Sequence, residues 1–208
     1  MAHQYFEDNE ALEHELQDVQ LNLATANLTL TTDSGVFSRQ RVDYGTLVLL
    51  KAVLPIIKAH ASQAISILDV GCGYGPIGLS LAKLFPAATV TMVDVNERAL
   101  DLARNNAVKN QVADQVTILK SNAYSALAET QKFDFIITNP PIRAGKKVVD
   151  DILLTSQKFL TEEGSFFAVL QKKQGAPSAK KNLATVYPNV EVIKRDKGYY
   201  ILQAKSVF

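Results

Sequence analysis

The stretch Ile65-Ser66-Ile67-Leu68-Asp69-Val70-Gly71-Cys72-Gly73-Tyr74-Gly75-Pro76 decides the fold. Residues 65–70 form a short apolar, β-branched run with no polar alternation. A strand reads that way when both of its faces are buried. Three glycines in five residues then lead into a helical stretch over about 77–84. A strand, a glycine turn and a helix make the opening half of a crossover to a parallel neighbour.

The same alternation repeats downstream. TVTMVD (89–94) is a second strand, followed by a helix over about 96–110. VTILK (116–120) is a third strand, and FDFIIT (133–138) a fourth, ending at Asn139-Pro140-Pro141, with a helix over about 147–160 after it. SFFAVL (165–170) is a fifth, and a helix near 178–187 leads to VEVIKR (190–195) and YYILQA (199–204). Only Asp196-Lys197-Gly198 separates those last two, so they form a hairpin and the final strand runs antiparallel. Upstream, residues 1–17 read as a polar leader with some helical character. Val19, Leu21, Leu23, Leu28 and Leu30 alternate with polar residues, predicting a strand pair that turns near Ala26-Asn27; an apolar helix follows over about 46–60. The expectation is an α/β, Rossmann-like sheet of seven strands with the last antiparallel, preceded by an N-terminal β-hairpin and helix. Residues 1–45 are read as the extension and hairpin, and 46–208 as one compact catalytic domain.

Ligands of open α/β sheets bind at the carboxyl ends of the strands, near the point where strand order switches. Gly71, Gly73 and Gly75 stand at such an end, where glycine lets the backbone approach a ligand and adopt positive φ. Gly73-x-Gly75-x-x-Gly78 matches a dinucleotide fingerprint in form. Asp69 argues against a pyrophosphate, which its charge would repel, and suits the ammonium of a methionine moiety. Asp94, at the end of the second strand and followed by Val95, is placed to accept hydrogen bonds from two ribose hydroxyls. Asn96 fits the N-cap of the next helix better than Asp94 does.

Asn139-Pro140-Pro141-Ile142 is the most specific signal in the chain. Two prolines hold the loop rigid, and Asn139 before them is kept out of helical geometry. An exocyclic amine on a base is a poor nucleophile because its lone pair is delocalised into the ring. Two acceptors, the Asn139 side-chain oxygen and the Pro140 carbonyl, would take its two N–H groups and aim the lone pair at a methyl donor.

Asp69-x-Gly71-x-Gly73-x-Gly75 resembles motif I of class I methyltransferases, and Asn139-Pro140-Pro141 resembles the signature of enzymes that methylate exocyclic base amines or protein glutamine amides. Together with Gly35-Val36-Phe37-Ser38-Arg39 and Asp43-x-Gly45-Thr46, these blocks resemble the "methyltransferase small" family over about 18–208, and within it the bacterial enzymes that make N2-methylguanosine in 16S ribosomal RNA. The resemblance implies a class I methyltransferase sheet and S-adenosyl-L-methionine as cofactor. It also implies cofactor contacts at Phe37, Asp43 and Thr46, and an adenine contact at Asn122 with Ala123 supplying backbone. Ile142 stands where the signature carries Tyr or Phe. Family members of this type often carry two copies of the fold, and 208 residues have room for one.

Twenty-two Lys and Arg against 21 Asp and Glu leave a net charge of +1, so a case for RNA rests on where the cations cluster. Arg143, Lys146, Lys147, Lys172, Lys173, Lys180 and Lys181 group near the presumed active face. The expected partner is RNA, ribosomal RNA or a ribosomal subunit particle. A single cysteine, no signal-peptide-like leader and no membrane-length apolar run predict a cytoplasmic protein that uses no membrane. Scattered His3, His14 and His60 predict no metal, and Cys72 reads as a small packing residue. The competing readings are a methyltransferase acting on a protein glutamine or small molecule, a cofactor-binding RNA assembly factor with little turnover, and an NAD-linked oxidoreductase.

Overall fold

The computed structural model describes residues 13–23, 25–60 and 63–207. Its elements are β1 (Gln17–Leu23), β2 (Ala26–Thr32), α1 (Tyr44–Lys58), β3 (Ser66–Val70), α2 (Pro76–Leu84), β4 (Thr89–Asp94), α3 (Glu97–Lys109), β5 (Val116–Lys120), β6 (Phe133–Thr138), α4 (Lys146–Thr155), β7 (Leu160–Gln171), α5 (Ala176–Leu183), β8 (Asn189–Asp196) and β9 (Tyr199–Lys205). Seven strands form one sheet in the order β5-β4-β3-β6-β7-β9-β8. Strands β3 to β7 run parallel, and β9 is inserted antiparallel between β7 and β8. β3 pairs with β4 on one side and β6 on the other, so the strand order switches at the glycine turn that follows it.

The apolar strands are buried on both faces, as their composition requires. Ile67, Phe135, Ile137, Phe167 and Val169 join a core with α1, α2 and α3; Leu68, Ile136, Phe166 and Ala168 join a second core beneath α4 and α5. Phe166 and Phe167 are fully buried on opposite faces. Truncating either to Ala would cost about 3–5 kcal/mol.

The N-terminal hairpin β1–β2 forms its own two-stranded sheet, and Val19, Leu21, Leu28 and Leu30 pack into the same core as α1, α2 and α3. Asn106 of α3 and Asn110, which caps that helix, bond the edge of β2 as a partner strand would. Asn106 Oδ1 accepts from Thr31 N at 2.7 Å while its Nδ2 donates to Thr31 O at 2.9 Å, and Asn110 does the same with Thr29 N and O at 3.1 and 2.9 Å. Asn106 Nδ2 also donates to Tyr74 O at 3.0 Å, which ties the hairpin to the glycine turn.

Three expectations shift. Leu23 pairs with Ala26, so the hairpin turns before Ala26 and not at Ala26-Asn27. The helix after β6 stops at Thr155, a 3-10 turn covers Ser156–Phe159, and β7 begins at Leu160, five residues ahead of the apolar run. A register shift between Phe133 and Phe135 accommodates that early start, with Gly164 packed close to the Phe133 backbone. α5 begins at Ala176 and ends at Leu183, earlier at both ends than the pattern suggests. Of the expected helical leader, residues 13–16 adopt no regular structure and 1–12 lie outside the described residues. No helix among the described residues is long and apolar enough to cross a membrane.

Candidate functional site

A cavity of about 510 Å³ opens at the carboxyl edge of the sheet, beside the switch point. The glycine turn forms its floor. Gly71, Gly73 and Gly75 have φ of +74°, +55° and +98°. A Cβ on Gly71 or Gly73 would meet nothing within 4 Å, whereas one on Gly75 would strike Leu79 at 2.6 Å. Gly75 therefore serves packing against α2, while Gly71 and Gly73 leave bare backbone facing open space. A bare backbone beside a cavity of this size is what a closely approaching ligand requires.

Asp94 stands at the end of β4, and its carboxylate holds the turn as well as lining the cavity. Oδ2 accepts from Gly73 N at 2.8 Å and Oδ1 from Asn96 N at 3.0 Å. Asn96 is the N-cap of α3, accepting from Ala99 N at 3.3 Å, as its spacing predicts. Val95, Asn122 and Ala123 line the neighbouring wall with Val70 and Ala99, giving a mostly apolar slot beside one carboxylate and one amide. Ala123 holds φ of +48°, and Ser121 Oγ donates to its carbonyl at 2.8 Å. Phe37 also lines the cavity and keeps 40% of its surface exposed.

The loop after β6 brings Asn139, Pro140 and Pro141 to the same cavity. Asn139 Nδ2 donates to Asp43 Oδ2 at 3.1 Å and to Thr46 Oγ1 at 3.0 Å. A carboxylate can only accept, so this pairing fixes which end of the amide is nitrogen. It leaves Asn139 Oδ1, together with the Pro140 carbonyl, without a donor among the described residues. Asp43 is at the same time the N-cap of α1, its Oδ2 accepting from Thr46 N at 3.1 Å. Gly45 lies under Tyr199 so closely that a Cβ would sit 2.7 Å from Tyr199 Cε1 and 2.8 Å from Asp43 Oδ2. Gln171 Nε2 donates to the Tyr199 hydroxyl at 2.8 Å, which anchors that ring from β7.

Two expected site residues lie elsewhere. Asp69 does not line the cavity; it is fully buried behind the glycine turn, with Oδ2 accepting from Gly78 N at 2.8 Å. Its Oδ1 has no partner among the described residues. Burial pushes its carboxyl up to about 7; the Gly78 N–H opposes that shift and the Asp94 charge adds to it. In this arrangement Asp69 holds β3 to α2 through Gly78. Ile142 also misses the cavity. Ile142–Ala144 form a 3-10 turn that packs Ile142 on the core under α4 and presents Ala144 instead, with Val148 and Ile152 behind it. Cys72 lines the site but is buried, and burial pushes its thiol up, so it is no thiolate. Sequence reasoning missed Ser38, Tyr74, Ala144, Val148 and Ile152 as lining residues, and no residue type among them signals a site.

The family model described as "Methyltransferase small domain" matches residues 27–203. The Bacillus subtilis (strain 168) protein described as "Uncharacterized protein YbxB" is 43% identical over 208 residues, covering all of both chains. The "Ribosomal RNA small subunit methyltransferase C" of Buchnera aphidicola subsp. Baizongia pistaciae (strain Bp) is 30% identical over 182 residues, 86% of this chain and 52% of that protein. Among solved structures, the "T. Thermophilus 16S rRNA N2 G1207 methyltransferase (RsmC) in complex with AdoMet and Guanosine" superposes with a TM-score of 0.82 at 25% identity, over 91% of this chain and 50% of that one. The chain thus spans about half the length of each of these two ribosomal RNA enzymes.

Proposed function

The chain belongs to the methyltransferase small domain family, and from that premise we propose that it methylates the exocyclic amine of a guanine in ribosomal RNA, in the small subunit, using S-adenosyl-L-methionine. The observation that carries the reading is the orientation of Asn139. Its NH2 is tied to Asp43 and Thr46, so Oδ1 is the end left to meet a substrate. With the Pro140 carbonyl it makes a pair of acceptors, and an exocyclic amine has two N–H groups to give. A hydroxyl or a ring nitrogen would leave one acceptor unpaired, a mismatch worth about 1–3 kcal/mol.

The cofactor site fits that donor. Gly71 and Gly73 offer bare backbone, Asp94 offers carboxylate oxygens suited to a ribose, and the Val95–Ala123 wall offers an apolar slot that Asn122 closes. The bound cofactor supplies an electrophilic methyl group. Everything else is the work of the chain. Asn139 and Pro140 hold the amine and draw its nitrogen lone pair out of conjugation. Pro140 and Pro141 keep those acceptors from relaxing, so little reorganisation is needed as charge develops. No strong base lies among the residues of the loop, and the amine's surplus proton passes to water once methylation has made it acidic.

Incubation with a labelled methyl donor and total RNA from cells that lack the protein tests the reading. Nucleoside analysis of the product should place the label in N2-methylguanosine. Label found only in protein, or in a base methylated at carbon or ring nitrogen, would overturn it.

A further inference from the structure

A second cavity, of about 410 Å³, lies between α5 and the outermost strand β8, on the face of the sheet away from the hairpin. Lys180 and Lys181 of α5 and Arg195 of β8 rim it, while Pro177, Val192 and Tyr200 supply apolar surface. All three cations are exposed, and none of their side chains has a carboxylate or hydrogen-bond partner among the described residues. Neither Glu191 nor Asp196 of the same strand lines the cavity. Three uncompensated positive charges around one hollow are an anomaly in a chain whose net charge is +1.

The floor narrows the ligand. The Arg195 guanidinium carbon lies 5.2 Å from the centroid of the Tyr200 ring, so a planar cation is already seated over an aromatic ring at the cavity. Lysines alone would suit any polyanion. A planar surface inside a cavity, with cations around its mouth, suits a flat ring carrying a phosphate. Position adds to this. Arg195 pairs with Tyr200 just before the β8–β9 turn, and Gly198 O of that turn accepts from Lys172 N at 2.8 Å at the carboxyl end of β7. Arg195 and Tyr200 thus stand near the edge of the sheet that carries the Asn139 loop. α5 is also braced to the helix that follows that loop, Asn182 Nδ2 donating to Asp150 Oδ1 at 2.8 Å.

We propose that this second cavity captures an unpaired nucleotide of the RNA substrate, its base on the Arg195–Tyr200 surface and its flanking phosphates on Lys180 and Lys181. The site would grip the strand at a distance from the target base and set which nucleotide reaches Asn139. The inference rests on the RNA reading of the catalytic loop, and direct binding separates the two.

The test is fluorescence anisotropy of a labelled single-stranded oligoadenosine with the full chain over a range of salt. Combined Lys180→Gln, Lys181→Gln and Arg195→Gln should weaken binding roughly 100-fold at about 0.1 M salt and make the log–log salt slope shallower by about 2. Tyr200→Leu should weaken it about ten-fold with the slope unchanged, because stacking carries no counterions. Affinity for S-adenosylhomocysteine should stay at the wild-type value in every variant, which certifies the fold. If the wild type binds the oligonucleotide and the triple variant binds equally well with the same slope, the cavity is ordinary surface, and the RNA reading survives without it. If the wild type binds no RNA, both fall. If an acidic peptide or free adenosine monophosphate competes as well as the oligonucleotide, the occupant is not an RNA strand and the proposal is overturned.

Discussion

Asn139 and Asp43, 96 residues apart in the chain, meet at 3.1 Å through an amide N–H and a carboxylate oxygen. The same oxygen caps α1. One carboxylate therefore positions both a helix and the amide of the Asn-Pro-Pro loop.

Truncating Asn139 to Ala should lower turnover by about 10²- to 10³-fold while S-adenosylhomocysteine affinity changes little, the expected cost of one preorganised acceptor. Asp43→Ala should lower turnover about ten-fold and stability by about 1 kcal/mol, because the amide is released and the α1 cap is lost. Single-turnover kinetics with calorimetry of the cofactor product checks both. Wild-type turnover in Asn139→Ala would make the loop a rigid turn only.

Gly45→Ala should act through the same carboxylate. The new methyl group would press on Tyr199 at 2.7 Å and Asp43 at 2.8 Å, so one of them must move. Overpacking of this kind costs about 1–3 kcal/mol. A smaller side chain at Tyr199 should recover much of the melting temperature lost in Gly45→Ala, and failure to recover any of it would show that the backbone, not the ring, sets the requirement.

Asp69 makes stability depend on pH. In the folded state its proton is held up to about pH 7. In the unfolded chain it leaves near pH ~4. The folded state binds more protons across that window, so stability falls as pH rises through it and levels off above, by at most about 4 kcal/mol. Asp69→Asn keeps an acceptor for Gly78 N and should flatten the decline. Melting temperatures of the two proteins between about pH 4 and 8 test this, and parallel curves would remove Asp69 as the cause.

Asn106→Ala should loosen the hairpin. The buried side chain satisfies Thr31 N, Thr31 O and Tyr74 O at once, and its loss leaves three backbone groups without partners. The cost should be about 2–4 kcal/mol. Amide exchange at Thr31 should accelerate well before exchange in β3, and equal acceleration at both would mean that the hairpin does not open by itself.

The sheet was readable from sequence because its central strands are mostly apolar, and runs such as Ile67–Val70 and Phe133–Thr138 have no other stable home. The glycine turn, Asp94 and the Asn139 loop were readable because their residue types are rare at strand ends without a ligand. Asp69 and Ile142 do not line the cavity, for a common reason. Asp69 and Ile142 were assigned by position in a motif, yet whether a side chain faces the cavity depends on the local turn, and the 3-10 turn at Ile142–Ala144 carries no periodic signal. The start of β7 at Leu160 was hidden because Thr161-Glu162-Glu163-Gly164 resembles a loop, and only Leu160, paired with Phe133 across the register shift, ties that end to the sheet. The roles of Asn106 and Asn110 carry no sequence signal, since nothing in a single segment tells a polar residue in water from one bonded to a distant strand.

The insertion of β9 between β7 and β8 has a bearing on how the protein matures. During synthesis on the ribosome, everything up to β8 emerges before the strand that must fill the gap. Until β9 arrives, β7 presents an open edge and Tyr199 is not there to press on Gly45, so the Asp43–Asn139 contact lacks its backing. A nascent chain can therefore carry the glycine turn and the Asn-Pro-Pro loop in full and still be unable to hold an acceptor. The loop's backing from Tyr199 is therefore in place only once β9 has docked against β7.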